Sequence, residues 1–517
     1  MRLRPCLILF LTFGAGLGRT AAQDQQVDLH QAFLDLRSDA VVMDLSAHPD
    51  DEDGASLALY RLKFGVTTFS VLFTRGEGGQ NEKGPELYEE LGMIRSHETR
   101  AAGAILGTRV EFLNFKDFGF SKTATEAIRI WGGQTEALRR LVYVIRKYKP
   151  DVLFTNHNTI DGHGQHQAVA VTAIAAFDAA ADPSMFPEQL REPGLSLWQP
   201  RKLFFRAFGR AEGTADVSNA INDIDSVRGV SYLDIAAQAL RQHRTQGMDR
   251  ANLRGFTRGK SLYKLMRTNS LYEQDSTSFL SGIDFRRDTA VARLQPLRVL
   301  VMAVHPGIGS DSLLTVTGRF EQAADSLTTC CRLSPLALRI MDHWRDALHR
   351  VTMLTCGIAV TAALADTLLV PGQRVDARVA VSSSRCRVSG ARWRFAAPAG
   401  WSAVERTEAA PQDGGNSRLF TLRAADDALP TVPEVEMQYR SLERHQDLQA
   451  VVACLVDGRP VTLSAPVRFE VAPLQTIAAS PQQTGIIRGR TPGPLTIRYE
   501  IRNWQPRPVS GTVALES

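Results

Sequence analysis

Two short stretches of the chain concentrate residue types that bind metals and move protons. Residues 47–52 read Ala-His-Pro-Asp-Asp-Glu, and residues 161–166 read Asp-Gly-His-Gly-Gln-His. A borderline cation such as zinc binds imidazole nitrogen and carboxylate oxygen, and a catalytic zinc site uses three protein ligands and leaves the fourth position to water. Two histidines and one aspartate from these stretches meet that count. The residues therefore favour a catalytic metal site.

A structural reading of the first stretch stays open at this point. Pro49 followed by acidic residues is also typical of a helix N-terminus, where carboxylates interact favourably with the helix dipole. The second stretch weighs against that reading, because it brings a second set of possible ligands to the end of another predicted strand.

The elements that must position these residues follow from the hydrophobic pattern. Between about residues 38 and 290, short β-branched runs alternate with amphipathic helical stretches. The predicted strands cover residues 40–46, 66–73, 110–114, 152–156 and 202–208, and the predicted helices lie near residues 51–63, 85–106, 134–148 and 166–179. This alternation predicts a Rossmann-like α/β fold, with a mostly parallel sheet between layers of helices. Ligands of such sheets lie beyond the carboxyl ends of the strands, where both stretches fall.

The rest of the chain changes character twice. Residues 291–367 are predicted to be a mainly helical connector, with a strand at 297–304 and helices at 336–349 and 356–365. Residues 368–475 show short alternating runs, such as 374–381 and 467–471, separated by Gly, Pro and Ser. That spacing predicts an Ig-like β-sandwich.

The last region, residues 476–517, is predicted to be a linker followed by the start of a further β domain. Residues 481–494 have the composition of a linker. The strand pattern after them continues for far fewer than the roughly 100 residues that a sandwich needs. We therefore expect that the chain is truncated at its C-terminus.

Residues 1–22 have the features of a secretory signal peptide. Arg2 and Arg4 precede an apolar run, and small residues follow before residue 23. No run reaches the roughly 18 apolar residues of a membrane span, so we expect a protein that is exported to the periplasm or secreted, with no transmembrane segment. Residues 23–290 would then form the α/β domain of the mature protein.

Composition and cysteine content exclude other classes. The chain has 517 residues, of which 44% are hydrophobic and 22% charged, so a wholly disordered or coiled-coil protein is excluded. A formal charge of +5 gives no case for a nucleic-acid partner. The five cysteines after the leader are irregularly spaced and predict free thiols, although export would permit a bridge such as Cys386 to Cys454.

Taken together, the two motifs resemble those of the PIG-L or LmbE-like zinc de-N-acetylases. The matching segments are AHPDDE at residues 47–52 and HGQH at residues 163–166. Further matches lie at residues 74–79, 95–98, 101–102, 113–119 and, more weakly, 243–246. The resemblance covers roughly residues 38–290, about half of the chain, and the motifs occur in the family's order.

The resemblance implies a division of roles within the two motifs. His48, Asp51 and His166 would bind zinc, and Asp50 would stay free as the general base. His163 would stabilise the oxyanion or protonate the leaving amine, two roles that the sequence does not divide. The same ligands also accept iron(II) or cobalt.

The resemblance also implies substrate contacts, and for some of these residues a purely structural role stays open. Arg95 and Asp117 correspond to residues that hold the sugar and its polar substituents. Arg95 could instead form a surface pair with Glu98 at i,i+3. Arg75 and His243 could each line the pocket or only close the structure around it.

Four other residues near the motifs receive weaker predictions. Glu52 is expected to orient a ligand or the loop. Asp161 stands where some deacetylases of the family carry a tyrosine, so a tyrosine donor is absent there. His157 could approach the site, but a lone histidine at a strand end is more often a hydrogen-bonded structural residue. His305 repeats only part of the first motif and is treated as unrelated.

The resulting expectation is an exported zinc-dependent amidohydrolase. It would remove an N-acetyl or similar small acyl group from an N-acetylated sugar or glycoconjugate. Two alternatives remain: a non-catalytic surface protein that binds carbohydrate, and an amidase that acts on a non-sugar or thiol-conjugate amide.

Overall fold

The fold of the chain is given by a computed structural model. The structure describes residues 21–250, 259–269, 278–285, 289–406, 416–431, 448–480, 496–505 and 507–512. Within those ranges, no helix is both long and apolar enough to span a membrane.

The first half of the chain forms one α/β unit. Its strands are β1 (Val41–Ser46), β2 (Thr67–Thr74), β3 (Arg109–Phe115), β4 (Val152–Thr155), β5 (Lys202–Arg206), β6 (Val217–Asn219) and β7 (Ser261–Thr268). Its α-helices are α1 (Ala21–Asp35), α2 (Gly54–Ala58), α3 (Tyr88–Leu106), α4 (Ala124–Ile130), α5 (Gln134–Tyr148), α6 (Gly164–Ala179) and α7 (Tyr232–Leu240). Helix α2 continues into a π-helical turn, Leu59–Lys63.

The seven strands form a single sheet in the order β3-β2-β1-β4-β5-β7-β6. Strands β1 to β5 pair in parallel, and β7 runs antiparallel to both β5 and β6. The chain proceeds outward from β1 to β3 and then returns to the other side of β1 with β4. The boundary between β1 and β4 is therefore the switch point of the sheet, where ligands of this fold class bind.

The predicted mostly parallel sheet with its helices is confirmed. Strands β1 to β5 lie within two residues of their predicted bounds, and α5 has its predicted bounds. Every residue of β1 is buried, which is typical of a parallel strand covered on both faces. The sequence pattern did not predict α1, α4, α7, β6 or β7.

Three further helices pack into the same hydrophobic core as the sheet. They are α8 (Gln295–Ala303), α9 (Ser310–Cys330) and α10 (Pro335–Cys356). The indole of Trp344 on α10 is buried and donates to Asp39 Oδ1 at 2.7 Å. This contact joins the helical region to the residues that precede β1.

Two predictions in the helical region are wrong. Residues 297–304 form most of α8 rather than a strand, since Leu297 and Val301, four residues apart, are buried, whereas Val299 and Met302 are 60% and 59% exposed. Residues 358–364 form a strand rather than a helix. Gly357 adopts a left-handed conformation with φ of 61°, which ends α10 before the strand begins.

The C-terminal half contains antiparallel sheets, as predicted. Its strands are β8 (Ile358–Leu364), β9 (Leu368–Leu369), β10 (Arg374–Ser383), β11 (Val388–Ala396), β12 (Ser402–Glu405), β13 (Ser417–Arg423), β14 (Gln449–Val456), β15 (Arg459–Pro466), β16 (Glu470–Val471), β17 (Gln475–Ser480) and β18 (Arg498–Asn503). Sheets β12-β13-β10-β8 and β11-β14-β15 share a core, and the rings of Phe395 and Phe420 meet across it at 5.1 Å.

Three smaller predictions concern this half of the chain. The strand predicted at residues 467–471 is limited to Glu470–Val471. Cys386 and Cys454 are free thiols in the structure, so the permitted bridge between them is absent. The predicted linker at residues 481–494 lies outside the described residues. At the other end of the chain, so does the predicted signal peptide, except for its last two residues.

Candidate active site

The two motifs meet at the switch point of the sheet. His48 and Asp51 lie in the loop between β1 and α2, and His163 and His166 lie at the start of α6, after β4. Because β1 and β4 are adjacent and parallel, their carboxyl ends bring both loops to one edge. The side chain of Asn156 joins them, since its Nδ2 donates to the backbone oxygen of Asp51 at 2.8 Å.

One carboxylate oxygen lies at the centre of the predicted ligand set. Asp51 Oδ2 is 3.0 Å from His48 Nδ1 and 3.4 Å from His166 Nε2. The backbone N–H of His48 also donates to this oxygen, at 2.8 Å, which fixes the orientation of the carboxylate. The structure thus brings all three predicted metal ligands together.

Two overlapping groups of metal-ligand atoms occur among the described residues, each with its atoms within 4.8 Å of one another. One contains His48, His163 and His166, and the other contains Asp51, His157 and His166. The predicted set takes members from both groups. Imidazole nitrogens and one carboxylate are the donors that zinc accepts, so these residues fit such a cation.

His157 belongs to this cluster but already has a hydrogen-bond partner. The backbone N–H of Ala47 donates to His157 Nε2 at 3.1 Å. Burial lowers the pKa of His157 to about 3, so the ring is neutral and its Nε2 lone pair is used by that bond. The ring stacks on His166 with centroids 4.3 Å apart. His157 therefore supports the position of His166.

The charges of the ligands follow from their mutual contacts. Burial alone would lower the pKa of His48, but the hydrogen bond and charge of Asp51 outweigh it and raise this pKa to about 9. Burial opposes ionisation of Asp51, yet the neighbouring histidines hold its pKa well below the usual range. Asp51 is therefore a carboxylate, and His48 must release a proton when a metal binds.

Asp50 stands beside the ligands in an unusual conformation. Its φ of 82° lies in the left-handed region, which non-glycine residues rarely adopt. Its backbone N–H donates to Glu52 Oε2 at 3.0 Å, so Glu52 orients the loop, one of the two roles expected of it. Burial and the charge of Asp51 raise the pKa of Asp50 to about 7, although His243 acts in the opposite direction.

His163 forms the N-cap of α6. Its Nδ1 accepts the backbone N–H of Gln165 at 3.3 Å. Burial, with the charges of His166 and His48, lowers the pKa of His163 to about 4, so the ring is neutral. With Nδ1 acting as an acceptor, the remaining ring proton resides on Nε2. His163 is thus a hydrogen-bond donor in this part of the site.

Gln165 links Asp117 to the loop between β1 and α2, which carries His48 and Asp51 and which we call the metal loop. Its Nε2 donates to Asp117 Oδ1 at 2.8 Å and to the backbone oxygen of Gly119 at 2.7 Å, and its Oε1 lies 3.2 Å from His48 Nε2. Asp117 itself is buried, and its Oδ1 also accepts the N–H of Gly119. The predicted contact of Asp117 with substrate stays a prediction, and the structure adds a role in orienting Gln165.

Arg95 holds the glycine-rich loop that follows β2. Its guanidinium donates to the backbone oxygens of Gly76 and Gln80, and its Nε lies 3.4 Å from Thr245 Oγ1. The side chain is 4% exposed. Glu98, the partner that the alternative reading gave to Arg95, accepts hydrogen bonds from the N–H and the hydroxyl of Thr245. The predicted contact of Arg95 with substrate stays a prediction.

Arg75 and Glu77 lie inside the same loop and are buried. Arg75 donates through Nε and Nη2 to Asn114 Oδ1, at 3.2 and 3.0 Å, so this side chain closes the structure around the loop. Glu77 Oε1 accepts the backbone N–H of Asp117 at 2.8 Å, and its Oε2 accepts that of Arg75. These bonds connect the ends of β2 and β3.

Sequence reasoning missed several residues that support the site. It named no role for Gln165, Glu77, Thr245, Gln246 or Asn156. The only feature of the sequence that could have indicated such residues was their position. Gln165 lies between the two histidines of its motif, and Asn156 ends a predicted strand. Amide and hydroxyl side chains are too common in loops for such positions to be decisive.

Among solved structures, part of the chain aligns with a sugar deacetylase. An N,N′-diacetylchitobiose deacetylase from Pyrococcus horikoshii, determined with an inhibitor, aligns over 48% of this chain and 93% of its own, at 18% identity and a TM-score of 0.33.

Sequence comparisons also match part of the chain. Residues 43–177 match the PIG-L family, described as GlcNAc-PI de-N-acetylase. A 1D-myo-inositol 2-acetamido-2-deoxy-alpha-D-glucopyranoside deacetylase from Frankia alni is 34% identical over 192 residues, covering 34% of this chain and 64% of that protein. Its counterpart from Geodermatophilus obscurus is 34% identical over 161 residues, 28% of this chain and 54% of that protein.

A third relative is aligned over most of its length. The enzyme of the same description from Streptomyces avermitilis is 30% identical over 242 residues, which cover 39% of this chain and 80% of that protein. The chain spans less than two thirds of the first two relatives but four fifths of this one. The resemblance found from the motifs is confirmed, and the chain belongs to the PIG-L family.

Proposed function

We propose that the protein is a metal-dependent N-deacetylase that acts on an amino-sugar-containing substrate. The observation that carries this proposal is the cluster of His48, Asp51 and His166, with Asp50 adjacent to it. The relatives named above are described as deacetylases of N-acetylated glucosamine derivatives, which supports this substrate class. Export through the predicted leader is part of the proposal.

We propose zinc as the metal, held by His48 Nδ1, Asp51 Oδ2 and His166 Nε2. Bound zinc would lower the pKa of a water molecule to about 7 and polarise the amide carbonyl. His48 Nε2 faces Gln165 Oε1 at 3.2 Å, as expected for a metal-binding histidine whose second nitrogen donates to an oriented oxygen. Iron(II) and cobalt accept the same donors.

Asp50 serves as the general base in this proposal. Its carboxylate takes a proton from the attacking water as the water oxygen bonds to the carbonyl carbon. The same carboxyl group then gives the proton to the amide nitrogen as the C–N bond breaks, so the products are acetate and a free amine. A proton acceptor with a pKa near the working pH suits both transfers.

His163 stabilises the developing negative charge on the carbonyl oxygen. A neutral ring with its proton on Nε2 can donate a hydrogen bond to that oxygen, but it is a poor acid for the leaving amine. The structure therefore favours the first of the two roles that the sequence left open for His163.

The test of this function is release of free amine by the purified protein without residues 1–22. The substrates are N-acetylated mono- and oligosaccharides, an inositol-linked N-acetylglucosamine and a non-sugar N-acetyl amide. The protein is assayed after zinc loading, after chelation and after zinc is restored, and His166→Ala serves as the matched control that lacks one ligand.

Zinc-dependent amine release from the sugars, absent in His166→Ala, is the expected result. Release from the non-sugar amide alone would contradict the substrate class and favour the alternative amidase. No release from any amide by zinc-loaded protein that binds the sugars would favour the non-catalytic carbohydrate-binding alternative.

A further inference from the structure

The segment of residues 243–246, which follows α7, contacts several parts of the site at once. We call it the α7 segment. It reads His-Arg-Thr-Gln, and the described contacts of its side chains and backbone reach Pro49, Glu52, Glu82, Arg95 and Glu98. Neither metal motif lies near this segment in the sequence, so only the fold brings them together.

The first contact runs through Glu52 to the backbone of Asp50. His243 Nε2 lies 3.1 Å from Glu52 Oε1, and Glu52 Oε2 accepts the backbone N–H of Asp50 at 3.0 Å. The two oxygens of one carboxylate therefore connect His243 to Asp50. Loss of His243 would leave Glu52 free to rotate away from that N–H.

Asp50 needs such a restraint because its backbone is strained. A φ of 82° lies in a region that residues with a side chain seldom occupy, because the Cβ crowds the backbone there. A strained residue keeps its conformation only when the surrounding contacts over-determine it. The Glu52 bond is one such contact.

The α7 segment supplies a second restraint on the same loop. Gln246 Nε2 donates to the backbone oxygen of Pro49 at 2.7 Å, and this oxygen belongs to the same peptide group as the Asp50 N–H that Glu52 accepts. Thr245 anchors the segment, since its N–H and hydroxyl both donate to Glu98, and its backbone oxygen accepts the N–H of Glu82. Both polar atoms of the Pro49–Asp50 peptide group are thus held by the anchored segment, the oxygen directly by Gln246 and the N–H through Glu52 and His243.

His243 cannot reach a substrate itself. Its side chain is fully buried at 0% exposure, and among the described residues its Nδ1 has no hydrogen-bond partner. The described hydrogen-bonding contact of its side chain is with Glu52 and not with a predicted metal ligand. The hydrogen-bonded connection of His243 to the site therefore runs through Glu52 and the loop.

We propose that His243 is a positioning residue, which with Gln246 holds the Pro49–Asp50 peptide group so that the Asp50 carboxylate keeps the orientation of a general base. This inference rests on the proposed function, in which Asp50 is that base. It predicts that His243 and Gln246 affect the rate of the chemical step, while metal binding by His48, Asp51 and His166 continues.

The experiment compares three variants with wild type: His243→Ala, the conservative His243→Gln and Gln246→Ala. His305→Ala is the matched control, since His305 is exposed and outside the site. Turnover of N,N′-diacetylchitobiose gives kcat and KM, bound zinc is measured per chain, and crystal structures of the variants give the φ of Asp50.

The expected result is a fall in kcat of about 10²-fold for His243→Ala, the size of effect that small misplacement of a reacting group produces. KM and zinc content stay within about twofold of wild type, and Asp50 leaves the positive-φ region. His243→Gln, whose amide can donate to Glu52, recovers most of kcat. Gln246→Ala, which removes a partly exposed side chain, lowers kcat without preventing folding.

Unchanged kcat in His243→Ala or in Gln246→Ala, with Asp50 still near a φ of 82°, would overturn the inference. If His243→Ala does not fold, the other two variants decide the question. Wild-type protein that hydrolyses no amide would instead refute the proposed function, and the φ of Asp50 in the variants would still decide whether the α7 segment holds the loop.

Discussion

Gln165 offers the sharpest test of how the metal loop is supported. The residue is 0% exposed, and its amide makes three contacts: two donated bonds, to Asp117 and to the Gly119 backbone, and one contact with His48 Nε2. Substitution by alanine removes all three. The N–H on His48 Nε2 then loses the acceptor that sets its tautomer and ring orientation.

The expected losses of zinc affinity and of stability in Gln165→Ala follow from these contacts. Loss of a partner that orients a metal-binding histidine lowers metal affinity by about 10–100-fold, which corresponds to about 1.4–2.7 kcal/mol. The Gly119 oxygen also loses a buried donor, which costs the fold about 1–3 kcal/mol. Asp117 Oδ1 keeps the Gly119 N–H as a partner, so this oxygen is not left without a hydrogen bond.

The assay is zinc affinity by competition with a chelator of known strength, on protein whose thermal unfolding shows it to be folded. Gln167→Ala is the matched control, because its amide also donates to two backbone oxygens, those of Ile160 and Gly162, but in the exposed loop. Gln165→Ala with the zinc affinity of wild type would refute the reasoning that Gln165 orients His48.

Three further predictions follow from the same geometry. Asp50→Asn should keep one zinc per chain and lose about 10²–10⁴-fold in kcat, and unchanged turnover would contradict the assigned base. Gly78→Ala should lower the free energy of unfolding by about 1–3 kcal/mol, measured by denaturant titration, because a Cβ would lie 2.7 Å from Asp117 Oδ1. Burial alone would raise the pKa of Asp53, but Arg206 and the Tyr263 hydroxyl hold it below the ordinary value. Its contribution to stability is therefore present above about pH 4 and lost as the pH falls, so Asp53→Asn should flatten the acid decline of Tm, and an unchanged decline would argue against this carboxylate.

The parallel strands could be predicted because burial dominates their pattern of apolar residues. Strands β1, β2, β4 and β5 and the second half of β3 are almost entirely buried, so their apolar residues form short runs that the flanking helices interrupt. Strand β7 escaped prediction because buried Ser261 and Tyr263 alternate with polar or partly exposed residues, which weakens the apolar pattern.

The helix α8 shows where an apolar run misleads. Residues 299–302 are all apolar, which resembles a buried strand, yet two of them are largely exposed. Pro296, near the start of the run, was the local signal for a helix, since proline is favoured in the first helical turn. Periodicity within so short a run does not separate the two structures.

The candidate site, like the fold, has a part that the sequence predicted and a part that it did not. The ligand types and their spacing were visible in the sequence because few other patterns place two histidines and an aspartate after strands. The supports of the site were not visible, since Gln165, Glu77 and the α7 segment act through contacts between residues distant in the chain. The left-handed φ of Asp50 also has no decisive sequence signal, because aspartate adopts such angles more often than most residues but still rarely.

The most direct test of the central claim is a crystal structure of the zinc-loaded protein, with anomalous data collected on both sides of the zinc edge. The account predicts one strong peak about 2.0–2.2 Å from His48, Asp51 and His166, with the Asp50 carboxylate outside the coordination sphere. A peak bound instead through Asp50 or through His157 Nε2, or no peak in zinc-loaded protein, would contradict the account.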